Sequence, residues 1–220
     1  MKYPDVIGEM ETLDLVLSGR SLARYGDGEF KMARQPGIGI KSQRADRELS
    51  RRLASILHES GDCLVGIPNV HSATPKAEFW GKVTPWAAKM LSPHRQYVSS
   101  FVSRADSAPW INTPEYWSKV EQLWRGLDVM VVRGSGKVFR LRAMVGATSI
   151  TEILGPRNSA WSSYADLIKR IGHPDRVLIS LGPTATVMAV ELCARGVHAI
   201  DVGHMGAFYR RWLNAQKVAA

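Results

Sequence analysis

The segment from residue 176 to residue 202 constrains the fold of this chain most strongly. Residues 176–181 form an apolar, β-branched run that stops at a Gly-Pro-Thr turn. Residues 184–195 then carry apolar side chains at helical spacing up to Gly196, and residues 197–202 return to a strand pattern. A strand, a helix and a strand within about 30 residues have the spacing of a parallel crossover unit. The segment therefore predicts a parallel sheet covered on both faces.

The same alternation continues along the rest of the sequence. The other candidate strands are residues 21–25, 63–67, 97–102 and 128–132, and the other candidate helices are residues 9–17, 46–58, 84–91, 114–124 and 159–171. About six strands alternating with helices predict a single α/β domain over residues 1–220, with a mostly parallel, doubly wound sheet and helices on both faces. Ligands of such sheets bind beyond the carboxyl ends of the strands.

Composition narrows the function classes only in part. The formal net charge of +9 attracts the phosphates of nucleotides, nucleic acids or anionic membrane surfaces, without choosing among them. Cys63 and Cys193 lie in apolar runs, which is typical of reduced thiols in a core rather than of a disulfide framework. We see no signal-peptide pattern and no apolar stretch of roughly 18 residues, so we expect a cytoplasmic protein.

The most informative polar stretch is Gly26-Asp27-Gly28-Glu29, which directly follows a predicted strand. In extended backbone, residues two apart project to the same side. Asp27 and Glu29 are then expected to offer two hard oxygen ligands to one divalent cation. Gly26 and Gly28 would let the backbone approach a phosphate, and Arg24 would pair with it. A plain surface turn is the competing interpretation, because Gly and Asp are common turn formers.

A second polar group, Asp201-Val202-Gly203-His204, also follows a predicted strand and therefore shares the same edge of the sheet. His204 is a candidate metal ligand or phosphate contact, and Asp201 could orient it or act as a base. A hydrogen-bonded structural histidine is the competing interpretation. The two groups together favour a ligand site at this edge.

Two glycine-containing turns add to that edge. The segment with Gly182, Pro183, Thr184 and Thr186 brings free helix N–H groups and two hydroxyls, which suit an anion, although Thr184 could simply cap the helix. Residues 133–137 form a basic, Gly-rich loop of the same kind. Neither segment matches a P-loop or a dinucleotide-binding fingerprint.

Five of the seven tryptophans lie between residues 80 and 124, in the middle of the chain. Core packing explains most of them. Aromatic faces also stack on sugar rings, so Trp110, in a predicted loop, is a candidate contact for an acceptor sugar.

Taken together, these motifs resemble the GT-D type glycosyltransferases, a family first defined as a domain of unknown function. The resemblance is carried by residues 24–29, 181–186 and 201–204, with further similar segments at 99–104 and 156–161. It implies a Rossmann-like domain with an Asp-x-Glu motif, here Asp27 and Glu29. That motif would bind Mn²⁺ or Mg²⁺ and a nucleotide sugar such as UDP-glucose.

By position, the resemblance also implies that Asp201 and His204 complete the donor site, with Arg104 and Asn158 as further contacts. It implies transfer of a sugar to a hydroxyl of a saccharide or of a glycosylated protein or lipid, for which Asp201 is the first candidate base. The basic residues 133–142 depart from the family pattern and leave the donor sugar and the acceptor open.

Two other function classes stay open. An Asp-x-Glu metal site could serve a nucleotide-sugar hydrolase or a phosphotransferase. The basic charge would suit a nucleic-acid-binding module, but Asp27 and Glu29 would repel phosphate unless a metal is bound. We therefore expect no specific nucleic-acid partner, whereas peripheral contact with an anionic membrane surface is compatible with the charge.

Overall fold

The computed structural model describes residues 2–58, 61–71, 73–135 and 143–219, and these residues form one sheet of eight parallel strands. The strands are β1 (Val6–Ile7), β2 (Leu22–Arg24), β3 (Leu64–Ile67), β4 (Tyr97–Ser99), β5 (Asp128–Gly134), β6 (Ser149–Gly155), β7 (Arg176–Ser180) and β8 (Ala199–Asp201). Their order across the sheet is β1-β4-β3-β2-β8-β7-β5-β6. The first four strands of the chain therefore form one half of the sheet and the last four form the other, and the halves meet where β2 pairs with β8.

Helices connect and cover these strands. They are α1 (Glu9–Leu17), α2 (Asp27–Arg34), α3 (Arg47–Ile56), α4 (Ala77–Ala87), α5 (Pro114–Glu121), α6 (Tyr164–Lys169), α7 (Pro183–Ala194) and α8 (Met205–Ala219). Across the described ranges, no helix combines the length and the apolar character needed to cross a membrane.

Side chains of the central strands alternate between two buried clusters. In β7, Val177 and Ile179 belong to the smaller cluster and Leu178 to the larger one. Val131 and Val132 of β5 divide in the same way. Because successive side chains of a strand point to opposite faces, both faces of the sheet are covered. This confirms the prediction of a doubly wound α/β domain.

Both cysteines are free thiols that take part in the smaller cluster, Cys63 within it and Cys193 packed against it. A hydrogen bond between the two thiols lowers the pKa of Cys193 to about 6 and raises the pKa of Cys63. Cys63 is a small core side chain, as the sequence predicted, whereas Cys193 is only partly buried.

The prediction of about six strands missed β1 and β6. β1 has only two residues, too few for a pattern. β6 is an edge strand that pairs with β5 alone, and its sequence Ser-Ile-Thr-Glu-Ile-Leu-Gly mixes polar and apolar residues. An edge strand is partly solvated, so it lacks the continuous apolar run of a central strand.

Two predicted helices have other starts in the structure. The helix predicted over residues 84–91 begins seven residues earlier, at Ala77, so Pro85 lies inside α4. The helix predicted over residues 159–171 begins as a short 3₁₀ helix, Ala160–Ser163, and continues as α6. Ser159 precedes it with a left-handed backbone (φ 56°) and no side-chain cap hydrogen bond.

The start of α3 provides a direct test of local structure. Asp46 is its N-cap, and one carboxylate oxygen accepts hydrogen bonds from the backbone N–H groups of Glu48 and Leu49, both at 2.9 Å. We expect Asp46→Ala to lower the free energy of unfolding by about 1 kcal/mol, because two N–H groups lose their acceptor. Urea unfolding measures the change. Asp46→Asn is the matched control and should retain most of the stability, since asparagine caps equally well; equal losses in both variants would contradict the capping role.

Candidate active site

A cavity of about 810 Å³ lies at the carboxyl edge of the sheet, where β2 and β8 meet. It is large enough for a nucleotide-sized ligand. Of the residues that the sequence singled out, the cavity lining includes Arg24, Gly26, Asp27, Gly28, Glu29, Arg104, Asn158, Gly182, Asp201 and His204. The prediction that these loops share one edge is therefore confirmed by their position.

The local geometry of Asp27 and Glu29 differs from the prediction. The two residues lie in the first turn of α2, not in extended backbone, and Gly26 is the N-cap with φ −109° and ψ −168°. Residues two apart on a helix are about 200° apart around its axis, so the argument that placed both side chains on one side was wrong. Both nevertheless line the cavity, because the N-terminal end of α2 faces it.

Each of the two carboxylates has a fixed neighbour. Glu29 Oε2 accepts a hydrogen bond from the backbone N–H of Gly26 at 2.9 Å, which is the half of a capping box that needs no side chain at the N-cap. Asp27 Oδ2 accepts from Lys31 Nζ at 2.9 Å, one helical turn further on. The first turn of α2 thus presents two oriented carboxylates at a helix N-terminus, the end where negative charge is favoured.

Glycines bring the following loop close to α2. A Cβ on Gly28 would lie 2.8 Å from Cδ1 of Ile40, and a Cβ on Gly39 would lie 2.7 Å from the backbone nitrogen of Ala45. The loop that carries Lys41 and Ser42 to the cavity therefore packs directly on the first turn of α2. Gly28 permits this close approach, whereas the access to phosphate that the sequence suggested stays a prediction.

Arg24 and Asp201 form a buried ion pair between β2 and β8. Arg24 Nη2 lies 2.9 Å from Asp201 Oδ1, and the two side chains are only 11% and 5% exposed. Arg24 Nε also donates to the carbonyl of Asp201 at 2.6 Å, and Nη1 donates to the carbonyl of Ser100 at 3.2 Å. The guanidinium is thus held from two sides at the junction of the sheet halves.

Gly203 completes this arrangement. Its backbone N–H donates to Asp201 Oδ1 at 3.0 Å, and its φ of +44° favours glycine. A Cβ at this position would lie 1.9 Å from Arg24 Nη2. The sequence analysis singled out Asp201 and His204 in this turn. The structure shows that Gly203 leaves the space that the Arg24 side chain occupies.

Electrostatics in the cavity couple these groups. Burial raises the pKa of Glu29, and the negative charge of Asp201 raises it further, while backbone hydrogen bonds and Arg24 oppose the shift. Arg104 donates to both carboxylate oxygens of Asp106 at 2.7 Å, which raises the pKa of its guanidinium. The charges of Asp27 and Glu29 also stabilise the cationic form of Arg104.

Several cavity residues were not foreseen as site residues. They are the basic side chains Lys31, Lys41 and Arg157, the aromatic side chains Trp80 and Phe101, and the hydroxyls of Ser42 and Ser180. With Arg24 and Arg104, five cationic side chains face three carboxylates in the lining. Such a balance suits a polyanionic ligand.

A contact between distant loops brings Lys41 and Arg157 together. The backbone N–H of Ser159 donates to the carbonyl of Ser42 at 2.9 Å, and Ser159 Oγ accepts from the backbone N–H of Arg44 at 3.0 Å. In the structure, Ser159 has a left-handed backbone at this contact. No local pattern in the sequence predicts the contact.

Three of the residues predicted for the donor site do not line the cavity, and neither does Trp110, the predicted acceptor contact. Pro183, Thr184 and Thr186 are buried at the start of α7. Thr186 Oγ1 donates to the carbonyl of Arg24 at 2.9 Å, and Thr184 Oγ1 donates to Gln43 Oε1 at 3.4 Å. The hydroxyls of Thr184 and Thr186 connect α7 to the loop after α2 and to β2, so they stabilise elements that carry cavity residues.

The basic loop at residues 133–137 is only partly described, because residues 136–142 lie outside the described residues. Gly134 ends β5, and a Cβ there would lie 2.9 Å from the carbonyl oxygen of Pro156. It therefore supports the loop that carries Arg157 and Asn158 to the cavity.

Carboxylates are the candidate metal ligands of this cavity. In the part of the chain that the structure describes, no group of three or more His, Cys, Asp or Glu side chains is arranged to hold a metal ion. Asp27 and Glu29 are hard oxygen donors at a cavity of nucleotide size, and Mg²⁺ is commonly held by one or two carboxylates together with substrate phosphates. The donor atoms therefore have the chemistry of a site for a cation shared with a bound diphosphate, and metal binding itself stays a prediction.

Comparisons with known proteins agree with this geometry. A family model for the glycosyltransferase GT-D fold matches residues 22–219. This chain belongs to the GT-D family. The match confirms the resemblance seen in the sequence and includes every residue of the candidate site.

Two curated relatives support the assignment of this GT-D domain. It is 30% identical over 94% of its length to "Glycosyltransferase GlyD" of Streptococcus pneumoniae serotype 4, and 32% identical over 90% to "Probable glycosyl transferase Gly" of Streptococcus gordonii. The aligned region covers 27% and 32% of those proteins, respectively. The chain thus spans about a third or less of the length of these relatives.

Solved structures show the same fold. A structure of domain of unknown function 1792, described as having a distinct glycosyltransferase fold, is 26% identical with a TM-score of 0.84 over 97% of this chain and 83% of that one. A glycosyltransferase with the same domain from Streptococcus sanguinis is 28% identical with a TM-score of 0.80 over 96% and 86%.

The contact between Gly203 and Arg24 predicts a large cost for a single methyl group. We expect Gly203→Ala to lower the free energy of unfolding by about 3 kcal/mol or more, because the Cβ displaces Arg24 from a buried ion pair. Gly196→Ala is the matched control, since Gly196 also has a positive φ (+76°) but nothing within 4 Å of the added Cβ. That control should cost only about 1 kcal/mol of backbone strain. Similar urea midpoints for the two variants would contradict the collision with Arg24.

The coupling of Glu29 to Asp201 predicts a pKa change. In Asp201→Asn the pKa of Glu29 should fall relative to wild type, because a nearby negative charge is removed while the positive charge of Arg24 is retained. Titration of the glutamate side-chain carboxyl carbons by NMR measures this pKa. Asp166→Asn, on the exposed surface of α6, should leave it unchanged; an unchanged or higher pKa in Asp201→Asn would contradict the coupling.

Proposed function

We propose that this domain transfers a sugar from a nucleotide-sugar donor to a hydroxyl group, with the diphosphate of the donor in the cavity at the junction of β2 and β8. The observation that carries the proposal is the pair of carboxylates at the N-terminus of α2, faced by five cationic side chains in one cavity. Family membership supports transfer of a sugar as the reaction.

Asp27 and Glu29 would hold Mn²⁺ or Mg²⁺, with His204 as a further candidate ligand at the rim of the same cavity. The cation would supply charge stabilisation at the departing diphosphate. Lys31 holds the carboxylate of Asp27, and the N–H of Gly26 holds that of Glu29, so both are oriented before a ligand arrives. The proton of Glu29 must leave before the carboxylate can bind a cation, and its raised pKa makes cation binding sensitive to acid.

Cationic side chains would stabilise the negative charge that grows on the leaving group. Arg104 is held in place by Asp106, and Lys41 and Arg157 reach the cavity from the two connected loops. Arg24 is fixed by Asp201, so we assign Asp201 first to positioning this guanidinium. Its role as a base stays a prediction.

UDP-glucose as the donor, a glycan or glycoconjugate as the acceptor and the cytoplasm as the location stay predictions from the sequence. The cavity volume of about 810 Å³ is compatible with a nucleotide sugar. Asp27 and Glu29 would repel the phosphates of a nucleic acid unless a metal is bound, which disfavours a nucleic-acid-binding module.

Thermal unfolding with UDP-glucose and Mn²⁺ tests the donor site. We expect metal-dependent stabilisation of wild type, by about 2.7 kcal/mol when the ligand is at 100 times its Kd. Asp27→Ala and Glu29→Ala should lose it, because each removes a cation ligand.

The exposed Asp166→Ala on α6 is the matched control and should keep the full stabilisation. Equal stabilisation of all variants would remove the two carboxylates from the donor site. Release of UDP at a rate independent of any acceptor would favour the nucleotide-sugar hydrolase.

A further inference from the structure

Trp110 is an exposed aromatic side chain held in a fixed position. It lies in a short 3₁₀ helix, Pro109–Ile111, and is 39% exposed. Its indole N–H donates to Glu9 Oε2 at 3.0 Å. The imidazole of His71 lies at 77° to the indole, with 5.2 Å between ring centroids. The two rings form a corner at the surface, aromatic on one side and polar on the other.

Glu9 is a buried carboxylate that serves this arrangement. It is the first residue of α1 and is 4% exposed. Its Oε1 accepts from Asn69 Nδ2 at 3.0 Å and from Ser99 Oγ at 2.8 Å, and the indole is its third donor. All three donors are neutral, and within the described ranges Glu9 forms no ion pair. A buried carboxylate needs its hydrogen bonds, so the orientation of the exposed indole is tied to the core.

The same residues connect Trp110 to the donor cavity. Ser99 Oγ, which donates to Glu9, also accepts from the backbone N–H of Phe101 at 3.1 Å, and Phe101 lines the cavity. Arg104 also lines it, and its carbonyl accepts from the N–H of Ala108, so the chain turns back before it reaches Trp110. Six residues span at most about 20 Å even when extended. The Cα atoms of Arg104 and Trp110 are therefore no more than about 20 Å apart. Glu9 follows β1 and Ser99 ends β4, so the indole that binds Glu9 lies on the carboxyl side of the sheet, as the cavity does.

The size and chemistry of this corner favour a small ring over a protein partner. A specific protein interface buries more than about 1,000 Å², whereas this surface centres on one indole. An indole offers a rigid apolar face at low entropic cost. A sugar ring has an apolar C–H face and a rim of hydroxyls, which match the indole face and the nitrogen atoms of the imidazole.

We propose that Trp110 and His71 form an acceptor subsite in which a saccharide ring stacks on the indole, on the same side of the sheet as the donor cavity. The inference rests on the proposed function, since an acceptor sugar is needed only by a sugar transferase. Glu9 is a positioning residue that holds the indole and does not touch the sugar.

Saturation-transfer NMR with lactose, cellobiose and N,N′-diacetylchitobiose tests the subsite without any activity measurement. We expect at least one disaccharide to receive saturation from wild type, with an affinity about tenfold weaker in Trp110→Ala. Trp110→Phe should restore most of it, because phenylalanine keeps an aromatic face. Leu154→Ala is the matched control, since Leu154 is 48% exposed on β6, at the opposite edge of the sheet.

Equal affinity in wild type and Trp110→Ala, or no binding of any of the three disaccharides to wild type, would overturn the subsite. Thermal shifts with UDP-glucose and Mn²⁺ on the same proteins separate this failure from that of the donor site. If UDP-glucose and Mn²⁺ still stabilise Trp110→Ala, and the disaccharides bind this variant as tightly as wild type, only the acceptor subsite fails. If no donor stabilisation occurs in wild type, the proposed function fails.

Discussion

The ion pair between Arg24 and Asp201 is the interaction on which the arrangement of the site depends. It joins β2 and β8, the two strands at which the halves of the sheet meet. In open α/β sheets the crevice at such a junction is where ligands bind. Here the crevice contains a guanidinium that also contacts the end of β4 through Ser100, so three strand ends are fixed relative to one another.

One carboxylate links this structural role to the chemistry of the cavity. Asp201 holds Arg24, receives the N–H of Gly203 and raises the pKa of Glu29 through its charge. A buried ion pair gives little net stability by itself, because desolvation offsets the attraction, but removal of one partner is costly. The pair is therefore better understood as a device that fixes geometry. It orients the guanidinium of Arg24 beside the first turn of α2, where Asp27 and Glu29 lie.

The sequence predicts those parts of the site that depend on local patterns and misses those that depend on contacts between distant residues. The crossover unit ending at Asp201 was predicted correctly, because strand and helix periods are local and parallel strands share one carboxyl edge. The backbone at Asp27 and Glu29 was not, because its N-cap is Gly26, which has no side chain to signal a helix start. Lys41 and Arg157 were missed since a contact between residues more than 100 positions apart brings their loops together.

The residues around the cavity divide into two groups with different physical constraints. The cavity itself is formed by strand ends and helix starts, where Gly28 and Gly203 admit close packing that a single Cβ would block. The side near Trp110 is formed by connecting segments, whose indole is oriented by a carboxylate rather than by the sheet. Connecting segments tolerate substitution better than strand ends do. If the proposed assignments hold, a domain of this construction would keep its diphosphate site while the surface around Trp110 changes to accept another sugar.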